Sequence, residues 1–107
     1  MKRGDVVLIA LQGDMGKPRP AVIIQSDLFS ALQSFTILPL TSELRDASHI
    51  RLTIEPIAEN GLEKPSQVMI DKITTVPASK IGKVIGRLEQ RQMTSLNQLM
   101  AVFLGVV

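Results

Sequence analysis

The sequence predicts an α+β chain that is mainly β. The expected architecture is a small, strongly bent antiparallel sheet or barrel of short strands, with a short helix after strand two and a C-terminal helix packed on the sheet. Three observations predict this. Short apolar runs recur along the chain and are punctuated by Gly, Pro and an Asn-Gly pair, the pattern of strands separated by turns. Connections between neighbouring runs are short, which favours antiparallel pairing. Near the C-terminus the apolar spacing changes to steps of three and four residues, the period of a helix packed on one face.

The elements follow in order. Asp5 to Leu11 is apolar on both faces and is expected to be a central strand. Gln12 to Pro18 holds two glycines and a proline and reads as a loop. Arg19 to Ser26 is the second strand. Ser26-Asp27 offers a helix N-cap for one or two turns over Leu28 to Gln33. Ser34 to Leu40 is the third strand. Its Pro39 cannot donate to a ladder, so it belongs at an edge, a bulge or a strand end.

Glu43 to Ser48 is polar and loop-like. His49 to Glu55 alternates, with Ile50, Leu52 and Ile54 inward and His49, Arg51, Thr53 and Glu55 toward solvent. Asn60-Gly61 marks a turn, and Ser66 to Ile73 is read as a fifth strand carrying Asp71. Pro77 to Lys80 is another turn, and Lys83 to Leu88 a last short strand. Glu89 to Leu104 closes the chain as a helix. Met93, Leu96, Met100, Phe103 and Val107 form its apolar stripe, and Gly105 its cap. No residue from Gln92 onward is charged, so this helix is expected to be covered by the sheet and by a second subunit. Phe29, Phe35 and Phe103 are assigned to the core.

Composition narrows the function classes. A chain of 107 residues, 45% of them hydrophobic, fits one folded domain over 1–107. The absence of cysteine excludes disulfides and thiolate metal sites, and a single histidine excludes a multi-histidine centre. The start runs straight into a strand pattern, so no signal peptide is expected. The longest apolar run, Leu99 to Val107, is too short to span a bilayer. A cytoplasmic protein without a membrane partner is the simplest expectation. The net charge of +2 is unevenly placed: Lys72, Lys80, Lys83, Arg87 and Arg91 make the C-terminal part basic. Such a zone suits an anionic polymer and is equally compatible with a solvated face.

Chemistry centres on Lys17-Pro18-Arg19-Pro20. Each proline restricts the residue before it to extended geometry. Arg19 is thereby fixed at the lip of strand two as a guanidinium able to bind phosphate. Antiparallel pairing of strands two and three sets it beside Thr41 and Ser42, whose hydroxyls add orientation. His49 reads as a surface histidine. Asp71 is open to several roles: a general base, an acceptor for RNA, or the ion-pair partner of a lysine.

The order of features resembles the MazF/PemK family of toxin endoribonucleases. The resemblance rests on Arg3-Gly4-Asp5-Val6-Val7, Pro18-Arg19-Pro20-Ala21-Val22-Ile23-Ile24, Leu38-Pro39-Leu40-Thr41-Ser42, Asn60-Gly61-Leu62, Ile70-Asp71-Lys72-Ile73-Thr74-Thr75-Val76 and Ile81-Gly82-Lys83-Val84-Ile85-Gly86-Arg87-Leu88. It implies an SH3-like barrel with helices, a homodimer, and an antitoxin whose acidic flexible tail covers the RNA groove. It also implies metal-independent, cofactor-free cleavage of single-stranded RNA to 2′,3′-cyclic phosphate and 5′-hydroxyl ends.

By the same resemblance Arg19 and Thr41 are catalytic, with Lys17, Ser42, Asp71 and Lys72 binding RNA or supporting. Asp14 is the ionisable residue in the short loop before Lys17, where many relatives carry an acidic residue or histidine. Val76 to Gly82 and Met100 to Val107 are also similar to the CcdB-type toxins, which poison DNA gyrase without being enzymes. The tryptophan those toxins use on gyrase is replaced here by Leu104, so this is the alternative reading.

Overall fold

The protein is described by a computed structural model covering residues 1–10 and 17–107. Among these residues seven strands and one α-helix follow in chain order: β1 Asp5–Ile9, β2 Arg19–Ile23, β3 Ser34–Thr41, β4 Arg51–Ile54, β5 Ser66–Met69, β6 Thr74–Pro77, β7 Ile81–Arg87 and α1 Gln90–Leu104. Single 3-10 turns occupy Asp27–Phe29, Ile70–Lys72 and Ala78–Lys80. The expectations for Asp14 and the rest of residues 11–16 lie outside the described residues.

The sheet runs β4-β5-β3-β2-β1-β7, and β6 also pairs with β3. Every pairing is antiparallel. β3 organises it because its two halves have different partners on one side. Ser34 to Ile37 pair with β6, and Leu40 and Thr41 with β5. Between these ladders Leu38 and Pro39 have no strand partner on that side. Proline brings no N–H to a ladder, and the facing chain uses the gap for the turn Ile70–Lys72. The expected fifth strand, Ser66 to Ile73, is therefore broken, and Asp71 lies in a 3-10 turn.

β1, β2 and β3 bury both faces because apolar side chains alternate without a polar partner. Val6, Val22 and Leu38 join the core beneath α1, where Met93 and Leu96 complete it. Val7, Ala21, Ile23, Phe35 and Ile37 form a second core on the other face with Val76. The turn Ala78–Lys80 carries the chain from β6, beside β3, to β7, beside β1, so the sheet curls around this second core. It does not close: "barrel" describes its curvature only.

Four local expectations need correction. The fourth strand begins at Arg51, and His49 sits in the exposed turn before it. Arg51 does not point freely to solvent. It is half-buried and donates to Gln67 Oε1 at 3.2 Å. The turn after β2 is a single 3-10 turn, capped as expected by Ser26, whose hydroxyl accepts from the Leu28 amide. Finally, only Phe35 is in the core; Phe29 is 55% exposed and Phe103 45%. Phe29 rides on a turn that no element covers in the monomer, and the α1 stripe runs past the sheet after Met100.

A candidate phosphate groove

Ile9 of β1 pairs with Arg19 of β2. β2 meets β3 through Ala21 opposite Pro39, where their ladder ends; Arg19 and Thr41 lie two residues beyond that pair on each strand and line the same groove. Thr41 in turn pairs with Gln67 of β5, and Gln67 with Thr53 of β4. One lateral row of the sheet therefore carries Thr41, Gln67 and Thr53. The Arg19 guanidinium and the Thr41 hydroxyl belong to one groove lining.

That groove has a volume of about 400 Å³. Arg19, Thr41 and Ser42 line it, together with Leu40, Glu63, Lys64 and Ser66. Thr41 Oγ1 accepts a hydrogen bond from the Glu43 amide at 3.1 Å. That bond uses one lone pair and leaves the hydroxyl proton available to a bound group. Ser66 Oγ donates to Lys64 O at 2.9 Å, fixing the far rim.

The wall opposite is the Asn60–Gly61 turn seated on β7. Asn60 is buried and satisfies three backbone groups: it donates to Glu55 O and accepts from the Ile57 and Leu62 amides. Gly61 has φ +70°, and a Cβ there would lie 2.1 Å from Ile85 O. A Cβ at Gly86 would lie 2.3 Å from the Asn60 carbonyl carbon. Two facing glycines thus let backbone meet backbone and place Gly61, Leu62 and Ile85 in the groove lining.

The remaining sequence-predicted residues lie elsewhere. Lys17 is exposed and sits one residue before Pro18, which does line the groove. Asp71 and Lys72 are in the turn packed against α1 and β3, 3.6 Å apart as an ion pair. Asp71 Oδ1 is buried with no hydrogen-bond partner among the described residues. The basic zone is largely neutralised locally. Arg87 binds Asp5 at 2.7 Å and Arg91 lies 3.5 Å from Glu89, both side chains remaining exposed. The sequence reading missed Glu63, Lys64 and Gln67. The first two precede Pro65 in a segment read only as loop. Gln67 is a polar residue one position from the start of a strand, a visible anomaly in an otherwise apolar run.

Known proteins share this sequence pattern and fold. A family of PemK-like, MazF-like toxins of type II toxin–antitoxin systems matches residues 2–104. A probable endoribonuclease MazF of Mycolicibacterium smegmatis is 44% identical over 107 residues, covering 99% of this chain and 98% of that protein. The structure of Mycobacterium tuberculosis toxin MazF-mt6 superposes with a TM-score of 0.81 at 25% identity, covering 94% of this chain and 96% of that one. A mycobacterial endoribonuclease solved with its cognate antitoxin has the same fold, with a TM-score of 0.84 at 19% identity over 100% of this chain and 97% of that one. These matches fall on the ribonuclease side of the two toxin types that the sequence resembles, and the chain belongs to the PemK-like, MazF-like toxin family of type II toxin–antitoxin systems.

Proposed function

We propose that this chain is the toxin of a toxin–antitoxin pair and acts as a metal-independent endoribonuclease on single-stranded RNA, halting translation and growth. The observation that carries this reading is that Arg19 and Thr41 line one groove of about 400 Å³. The family membership and the name of the 44% identical relative support it.

In the proposed reaction the RNA 2′-oxygen attacks the adjacent phosphorus. The 2′-O–P bond forms, the P–O5′ bond breaks, and the products are a 2′,3′-cyclic phosphate and a 5′-hydroxyl. Arg19 neutralises the charge that builds on the phosphorane, and Thr41 donates to a non-bridging oxygen to orient it. An arginine remains charged up to a pH above about 12, so its role is electrostatic rather than proton transfer. Glu63 is the carboxylate among the described lining residues, and we assign it the proton taken from the 2′-hydroxyl, while solvent water gives a proton to the departing 5′-oxygen. Ser42 and Lys17 extend the phosphate contacts along the strand. Asp71 and Lys72 support the fold beside α1 rather than the reacting phosphate.

The active unit is a homodimer in the cytoplasm. Val102, Phe103, Leu104, Val106 and Val107 are exposed at the uncharged end of the chain, a surface that a second copy would cover. The antitoxin is the partner that a type II system supplies, and its acidic tail complements Arg19 and Lys64 in the groove. Incubation of the purified protein with single-stranded RNA in EDTA should yield cyclic-phosphate ends. Arg19→Ala should reduce that cleavage by about a thousandfold. Full activity in the variant would remove Arg19 from the reaction, and trapped gyrase–DNA complexes without RNA cleavage would favour the gyrase-poison alternative.

A further inference from the structure

Gln67 is the least expected residue in the row behind the groove. Its side chain is polar, yet the residue is only 6% exposed. A buried amide is costly unless its donors and acceptor are satisfied. Gln67 meets that demand on the segment just beyond Thr41. Its Nε2 donates to Arg45 O at 3.0 Å, and its Oε1 accepts from the Arg45 amide at 3.0 Å. One side-chain amide thus pairs with both backbone groups of a single residue, as a neighbouring strand would. Oε1 also accepts from Arg51 Nη1, and Nε2 donates to Thr53 Oγ1 at 3.1 Å.

These bonds converge on Glu43. Its amide donates to Thr41 Oγ1, and its carbonyl accepts from the same Arg51 Nη1 that binds Gln67. Releasing Arg45 would free the two-residue link to Glu43. The amide that engages the Thr41 oxygen would then be lost, and the Thr41 side chain would no longer be held in one orientation.

We propose that Gln67 is a positioning residue for RNA cleavage: it clamps Arg45 so that the Glu43 amide holds the Thr41 hydroxyl aimed into the groove. This rests on the ribonuclease reading above. Gln67 touches no substrate, and it acts through Thr41.

The test compares Gln67→Met with Thr53→Val in the full-length protein, using a single-stranded RNA oligonucleotide that the wild type cuts. Gln67→Met keeps the side-chain volume and removes every hydrogen bond. It should lower kcat by about 10- to 100-fold while KM stays within about threefold, the pattern of lost transition-state alignment. Hydrogen exchange at the Glu43 and Arg45 amides should quicken by about tenfold or more in the same protein. Thr53→Val removes one Gln67 bond without touching the clamped loop, and should leave kcat within about threefold of wild type. If Gln67→Met does not fold, Gln67→Glu replaces it: the acceptor for the Arg45 amide is retained, the donor to Arg45 O is lost, and the criteria on kcat, KM and Glu43 exchange apply.

Unchanged kcat overturns the proposal. A raised KM with kcat preserved also overturns it, by making Gln67 a substrate contact. An equal loss in Thr53→Val, or unaltered Glu43 exchange alongside a fallen kcat, overturns it in favour of a general structural role. A wild-type protein that cuts no RNA refutes the ribonuclease reading itself, and amide exchange at Glu43 then still reports whether the clamp exists.

Discussion

Replacing Gly61 by alanine should damage the groove wall more than its chemical size suggests. Two separate terms act there. The backbone has φ +70°, and an L-residue in the left-handed region costs about 1–2 kcal/mol. The new methyl would also lie 2.1 Å from Ile85 O and 3.1 Å from Ile85 Cβ. The first contact is with backbone, so no side-chain rotation relieves it. Overpacking of that kind costs about 1–3 kcal/mol. Together the terms come to roughly 3 kcal/mol, out of the 5–15 kcal/mol or so that holds a domain folded. The expected loss of melting temperature is about 15 °C or more. Chemical denaturation monitored by circular dichroism measures the free-energy loss, and a thermal melt the shift in Tm. Gly86→Ala is the matched control: its Cβ meets the same turn, at Asn60, without the positive φ. The two substitutions break one contact, so the double variant should lose less than the sum. A Gly61→Ala protein within about 1 kcal/mol of wild type would refute the claim that this turn is seated backbone to backbone on β7.

Asn60→Ala leaves the Ile57 and Leu62 amides and the Glu55 carbonyl without their partner, and urea denaturation should show a loss of about 2–4 kcal/mol. Glu63→Gln should lower kcat at neutral pH by about a hundredfold with little change in melting temperature; activity equal to wild type would assign the 2′-hydroxyl proton elsewhere. Phe103→Glu places a charge on the exposed apolar end of α1; sedimentation velocity should show the dimer population falling, and an unaltered dimer would place the interface on another face.

Much of the strand pattern was legible because the chain alternates or saturates apolar positions where it is buried. Val6-Val7 and Ala21-Val22-Ile23 feed two cores on opposite faces of the same strands, and a run apolar on both sides reads as a central strand. The α1 boundary was legible from Gly105, which adopts φ +73° as the helix cap. What failed had nonlocal causes. The break at Ile70–Lys72 depends on Pro39, about thirty residues earlier, leaving a gap in the facing ladder. Phe29 and Phe103 look like core because hydrophobicity alone does not say which copy of the chain covers a residue. That Arg19 and Thr41 line one groove was legible from a short connection between paired strands. Gln67 was not, because its role exists only once β4, β5 and the 42–50 segment are brought together.

If the groove lined by Arg19 and Thr41 cuts RNA by internal attack of the 2′-oxygen, the RNA ends carry the signature of that attack. Sequencing the ends of cellular RNA after the toxin is expressed without its antitoxin reads it. Growth arrest is expected with new fragments ending in 2′,3′-cyclic phosphate and beginning with 5′-hydroxyl, absent in cells expressing Arg19→Ala. Growth arrest with intact RNA, or the same fragments from the Arg19→Ala protein, would contradict it.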